Sequence, residues 1–228
     1  MLALKQALSL VSLKRLGSDW TPSDEGSNLI AWYKNKTGIT LNGSDVSQWE
    51  DSANSYDMVQ ADAGEQPAYN ASTGALTFDP TSDTQNLQTS GQISLSGNFT
   101  IGIKCYPQAF NNVLLADNTT TNEMFKYTSS SNIRIKIDTP SAVNIPLDSG
   151  TFGDDYLVLT RVSNVLTLHK NGVAQSTTPT LSGTADIDAI GVRSTDMNPY
   201  DGDVSELQIY DTSSSGLTAN INTYLSNI

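Results

Sequence analysis

Apolar residues along this chain recur in short runs separated by polar turns, the pattern of many brief β-strands. Leu29, Ile30, Ala31, Trp32 and Tyr33 form one compact run, and residues 75–78 form another, closed by Asp79-Pro80. Residues 99–106 alternate, with Phe99, Ile101, Ile103 and Cys105 on one face. Residues 133–137 alternate strictly, with Ile133, Ile135 and Ile137 set against Arg134 and Lys136. Such alternation predicts one face in the core and one facing water. Runs at 156–162 and 165–170 flank Ser163-Asn164, a tight hairpin signal, and Asn171-Gly172 leads to a return strand at 173–175. Asn-Gly is a strong hairpin signal because both residues tolerate positive φ. Runs at 189–193 and 204–210 complete the strands. The last segment has a different period: Leu217, Ile221, Tyr224, Leu225 and Ile228 fall on one helical face, with Ser215 or Thr218 available as N-cap.

A dozen or so short strands with one terminal helix predict an all-β, two-sheet antiparallel jelly-roll sandwich. The 228 residues suffice for one such domain, with no internal linker or repeat. The pattern divides the chain into an N-terminal arm and connector, residues 1–27, and a sandwich domain, residues 28–228. Trp32 and Trp49 sit in or beside apolar strands and are expected to fill the space between the sheets. Trp20, in the connector, is placed to staple the arm to the domain.

Charge sharpens this division. The formal net charge is −12. The first 18 residues hold Lys5, Lys14 and Arg15 and no acid, so that segment is +3 and the remainder −15. An acidic body argues against nucleic acid, whose binding needs a basic face, and against charge-driven docking on anionic lipid. No apolar run approaches the length of a membrane span, and the arm lacks a signal-peptide cleavage pattern. The single cysteine, Cys105, excludes an intrachain disulfide and reads as a packed strand residue. The arm residues Leu4, Lys5, Leu8, Val11, Leu13, Lys14 and Arg15 are the expected partner-binding segment. That segment, or an exposed strand edge, would make the chain a homo-oligomer or part of a large assembly.

Several stretches resemble the laminin-G-like jelly rolls of the concanavalin A-like lectin/glucanase superfamily. They are the run 29–33, Gly38, residues 46–52, Asn54, Gln60, residues 66–69, the hairpin at 168–173, and residues 201–210 followed by Leu217-Thr218 and Tyr224-Leu225. The whole chain, with its basic Leu/Ser-rich start and the connector 16–22, is also similar to LamG-like proteins of tailed bacteriophages of marine bacteria. That resemblance implies a virion structural protein, a capsid decoration or cement-like subunit. It would be held to the shell by its arm, with other virion proteins as partners and the virion as its location.

Glycosidases of the superfamily resemble one another in a Glu-x-Asp-x-Glu or Glu-x-Asp-x-x-Glu strand, which projects two carboxylates into one cleft. Glu25, Glu50, Glu65, Glu123 and Glu206 are widely separated and none opens such a motif, so no catalytic residues are assigned. The lone His169 excludes His-based zinc sites and lies in a hairpin strand. No cofactor is called for, except that hard oxygen ligands in loops suit calcium. Asp51, Asn54 and Asp57, and Asp117 with Asn118, are such groups, and Asp196, Asn198, Asp201 and Asp203 are the best set. The alternative function is a carbohydrate-binding module or host-glycan adhesin, with Tyr106, Tyr127 or Tyr200 as sugar contacts. Glycoside hydrolysis ranks last.

Overall fold

The structure, a computed structural model, describes residues 19–81, 84–119, 122–138, 142–192 and 198–228. Its strands in chain order are β1 (Leu29–Tyr33), β2 (Ile39–Asn42), β3 (Asp45–Trp49), β4 (Met58–Val59), β5 (Ala68–Asn70) and β6 (Ala75–Phe78). There follow β7 (Leu87–Leu95), β8 (Phe99–Pro107), β9 (Asn112–Asp117), β10 (Asn122–Ser129), β11 (Asn132–Lys136) and β12 (Ala142–Pro146). The last are β13 (Asp155–Val162), β14 (Val165–Lys170), β15 (Val173–Ala174), β16 (Ala185–Ile190) and β17 (Gly202–Tyr210), before the helix α1 (Ser215–Leu225).

All strand pairings are antiparallel. The front layer runs β17-β8-β13-β14-β15, with β1 and β6 sharing the far edge of β17. The back layer runs β4-β7-β16-β9-β10-β11-β12. The chain passes between layers through β5, β3 and β4, so the ladder is continuous, and the expected all-β sandwich with a short C-terminal helix is observed.

Alternation explains the core. In the front layer Ile209, Ile101, Leu159 and Leu168 are neighbours across four strands, as are Leu207, Ile103 and Leu157. In the back layer Tyr127, Ile133 and Ile145 form a corresponding row. These side chains are all buried in one cluster, where each contributes about 1.5–3 kcal/mol of transfer free energy. Trp49 lies among them, tilted on Tyr33 with ring centroids 5.6 Å apart. Arg161 closes one end of the sandwich: its buried guanidinium donates to the carbonyls of Leu95, Gly97 and Gly183, each at 2.8 Å.

Both hairpin signals fold as expected. Ser163 and Asn164 take φ of 49° and 68°, and Asn171 and Gly172 take 50° and 80°, the doubly positive geometry that matches strand twist. The terminal helix begins earlier than either proposed cap: Ser214 is the N-cap, its side chain accepting from the Leu217 N–H. Ile228 lies beyond the helix end and is 41% exposed, so it is not part of the buried helical face.

Helix α1 alters the expected pattern of exposure. It lies on the outer face of the front layer, burying Leu217, Ile221 and Leu225 against Val158, Tyr210, Leu29 and Trp32. Trp32 therefore packs outside the sheets, under the helix, rather than between them. Trp20 meets Tyr224 edge-on at 6.2 Å and donates from Nε1 to Glu25, tying the connector to the helix. The arm residues Leu4, Lys5, Leu8, Val11, Leu13, Lys14 and Arg15 lie outside the described residues.

Candidate functional site

A polar cleft of about 430 Å³ opens on the outer face of the front layer, near the C-terminal end of α1. Lys104 and Tyr106 project from β8 and Asp203 and Ser205 from β17, with Asn35 supplied by the turn after β1 and Asn70 by the end of β5. The same pleat that sends Ile103 and Cys105 inward sends Lys104 and Tyr106 outward. Tyr106 is 43% exposed, so its ring and hydroxyl are available to a ligand. Lys104 Nζ lies 3.2 Å from the carboxylate of the exposed Asp154. Thr77 donates to Asp203 at 2.6 Å, fixing that carboxylate at the cleft wall. Asn35 donates from its side chain to the carbonyls of Thr73 and Ser205, bridging the turn before β6 to β17.

Below the cleft edge lies a buried carboxylate. A register shift in β17 between Val204 and Glu206 moves Glu206, Gln208 and Tyr210 to the helix-covered face. Glu206 accepts from the Trp32 indole at 2.5 Å, the Asn35 backbone N–H at 2.7 Å and Gln208 at 3.0 Å, and is also bonded by Tyr224. Burial raises its carboxyl above the ordinary range, and these donors oppose the rise. Sequence reasoning considered Glu206 only as a glutamate that opens no glycosidase motif, because its partners Trp32, Asn35 and Tyr224 are distant in the chain. Glu123 is buried elsewhere, on β10, beside Lys126 at 3.5 Å and in contact with Arg134. The two buried glutamates thus serve separate clusters in separate layers.

The expected glycan contacts divide. Tyr106 reaches the cleft. Tyr127 and Tyr200 are corrections: both are buried in the core, stacked at 6.3 Å, with the Tyr127 hydroxyl 3.2 Å from Cys105 Sγ. Their rings fill the space between the layers and cannot meet a sugar.

The proposed calcium set falls partly outside the described residues. Asp196 lies outside the described residues. The Asn198 side-chain oxygen accepts from Lys126 Nζ at 3.0 Å, so an ammonium already occupies that acceptor, while Asp203 turns to Thr77. Asp201 engages neighbours through its backbone carbonyl, which accepts from Gln108. Asp51 is saturated by the N–H groups of Trp32, Ala53, Asn54 and Tyr56, and Asp57 by Gln48 and the Asp51 N–H. Asp117 accepts from Gln92 and Thr119. Among the described residues, no group of three or more His, Cys, Asp or Glu is arranged to hold a metal ion.

No family model matches the chain, and no curated protein sequence matches it. Solved structures share its fold. Trypanosoma rangeli sialidase bound to the inhibitor DANA is 14% identical, with 86% of this chain and 32% of that chain covered and a TM-score of 0.56. The heptameric SAP-like pentraxin from Limulus polyphemus is 14% identical, with 66% and 81% covered and a TM-score of 0.53. A botulinum neurotoxin type C structure, concerned with cell entry through two ganglioside molecules, is 12% identical, with 90% and 53% covered and a TM-score of 0.56. This chain is an all-β sandwich that shares its fold with these structures. It spans about a third of the sialidase and about half of the toxin chain.

Proposed function

We propose that the protein is a non-enzymatic carbohydrate-recognition module that takes a glycan in the cleft at Tyr106. The observation that carries this reading is the composition of the cleft: one exposed aromatic ring surrounded by fixed amide, hydroxyl and charged groups on a rigid sheet. Sugars are recognised in this way, an apolar ring face lying on an aromatic side chain while planar polar groups read the hydroxyls. The separation of Glu123 and Glu206 into different buried clusters, and the absence of a Glu-x-Asp-x-Glu strand, favour binding without hydrolysis. The sialidase, pentraxin and toxin neighbours support the fold side of this reading. The test is a glycan array probed with the full chain. Saturable binding lost in Tyr106→Ala at unchanged Tm supports the assignment; binding that Tyr106→Ala leaves intact, or no binding, overturns it.

A second reading concerns where the module is carried. The segregation of a +3 start from a −15 body, and the resemblance to phage LamG-like proteins, favour a virion decoration subunit attached through its arm. The two roles are compatible, since a particle-borne module can display its cleft outward. Quantitative mass spectrometry of purified particles would find the chain in many copies, and deletion of residues 1–16 would remove it from particles without lowering the sandwich's Tm. Incorporation unaffected by that deletion would refute attachment through the arm.

A further inference from the structure

Helix α1 covers only part of the front layer's outer face, and beyond it a second depression is left over β13 and β14. This groove, of about 500 Å³, lies at the N-terminal end of α1, the opposite end from the Tyr106 cleft. Thr160, Thr167 and His169 line its sheet side and Ser215, Thr218 and Asn222 its helix side. Val162 and Ala219, both exposed, supply small apolar patches.

Two features give the groove a defined chemistry. The first is the absence of charge: among the described residues no Asp, Glu, Lys or Arg lines it, although the chain as a whole carries −12. The one titratable side chain that lines it among the described residues, the half-buried His169, is held below its ordinary imidazole value by desolvation and is neutral near pH 7. A charged ligand entering here would lose hydration and gain no counter-charge, which disfavours it. The second is an unmet acceptor. Asn222 donates to the Thr218 carbonyl at 2.9 Å, but its side-chain oxygen is buried and has no partner among the described residues. A buried acceptor left without a donor costs about 1–3 kcal/mol, and a ligand hydroxyl would relieve it. The Thr160 and Thr218 hydroxyls donate to the Thr167 and Ser214 carbonyls at 3.4 and 2.9 Å, which leaves their oxygens to accept from a ligand.

We infer that this groove is a second binding site, specific for an uncharged, polyhydroxylated ligand of the size of a short neutral oligosaccharide. Hydroxyls of the ligand donate to Asn222 and to the threonine oxygens, and its C–H faces lie on Val162 and Ala219. The site is independent of the Tyr106 cleft, so either could bind without the other.

His169 is the sole histidine of the chain, so its ring gives a single, unambiguous NMR signal inside the groove. The full chain is titrated with two neutral probes, maltotriose and N,N′,N″-triacetylchitotriose, and two charged ones, sialyllactose and the free-amine chitosan trimer. At least one neutral probe is expected to shift the His169 signal saturably, with binding about tenfold or more tighter than for either charged probe. Ala219→Trp, which sets an indole into the groove from an exposed helix position, is expected to abolish that shift at unchanged Tm. Tyr106→Ala is expected to preserve it, which separates this site from the cleft. A His169 signal that neither neutral probe moves, that charged probes move equally, or that still responds in Ala219→Trp overturns the inference.

Discussion

Ile221 of the C-terminal helix rests on the bare backbone of Gly102 in β8: a Cβ on Gly102 would stand 2.7 Å from Ile221 Cγ2, well inside normal carbon–carbon contact. The helix reaches the sheet so closely because this position has no side chain. Gly102→Ala is therefore expected to destabilise the fold by about 1–3 kcal/mol through overpacking, and Gly102→Val by more. Chemical denaturation monitored by tryptophan fluorescence reads the change. An alanine variant as stable as the parent would mean that the helix shifts without cost.

Glu206 ties four parts of the molecule together through the Trp32 indole, the Asn35 N–H, Gln208 and Tyr224. Glutamine at this position offers one acceptor oxygen and turns an NH₂ toward groups that are themselves donors. Glu206→Gln should cost about 1–3 kcal/mol, the penalty of leaving a buried donor unmatched. Because Trp32 reports directly, its emission should also move to the red as the helix loosens. Unchanged stability together with unchanged emission would contradict the anchoring role.

The single histidine supplies a pH signature. Desolvation lowers the His169 imidazole below its ordinary value of 6.5. The unfolded chain thus binds a proton more readily than the folded one, and stability from this group is full above 6.5 and lost as pH falls through the folded value. The stability advantage of the parent over His169→Gln should shrink between about pH 7 and about pH 5. NMR titration of the ring should give a midpoint under 6.5; a midpoint above it would reverse the sign.

Cys105 is buried beside the Tyr127 hydroxyl, and burial pushes its thiol up to about 12. With almost no thiolate present, the native protein should not react with a disulfide reagent at about pH 8 and should react fully once unfolded. Labelling of the native state on the mixing timescale would place the thiol in contact with solvent instead.

Much of the fold was legible as local pattern. The alternation at Ile133 and Ile135, the positive-φ dipeptides Ser163-Asn164 and Asn171-Gly172, and the helical spacing of Leu217, Ile221 and Leu225 each express a preference settled within a few residues. Strand β7 was harder to see, since Thr89, Ser90, Gly91 and Gln92 interrupt its apolar positions and it is defined by pairing with β16 and β4. The candidate cleft was legible only at Tyr106, because its other walls come from turns and strands as far apart as Asn35 and Asp203.

Sequence alone carried the period of each segment, the hairpin turns, the uneven placement of charge and the lack of a glycosidase carboxylate strand, since all of these are properties of neighbouring residues. Which faces of the strands meet water was a property of the assembled molecule. Tyr127 and Tyr200 went to the core and Trp32 beneath a helix, while Glu206 was buried by a one-residue register shift. A strand's alternation says that its two faces differ, but the burial of each face depends on what a segment a hundred or more residues away lays across it.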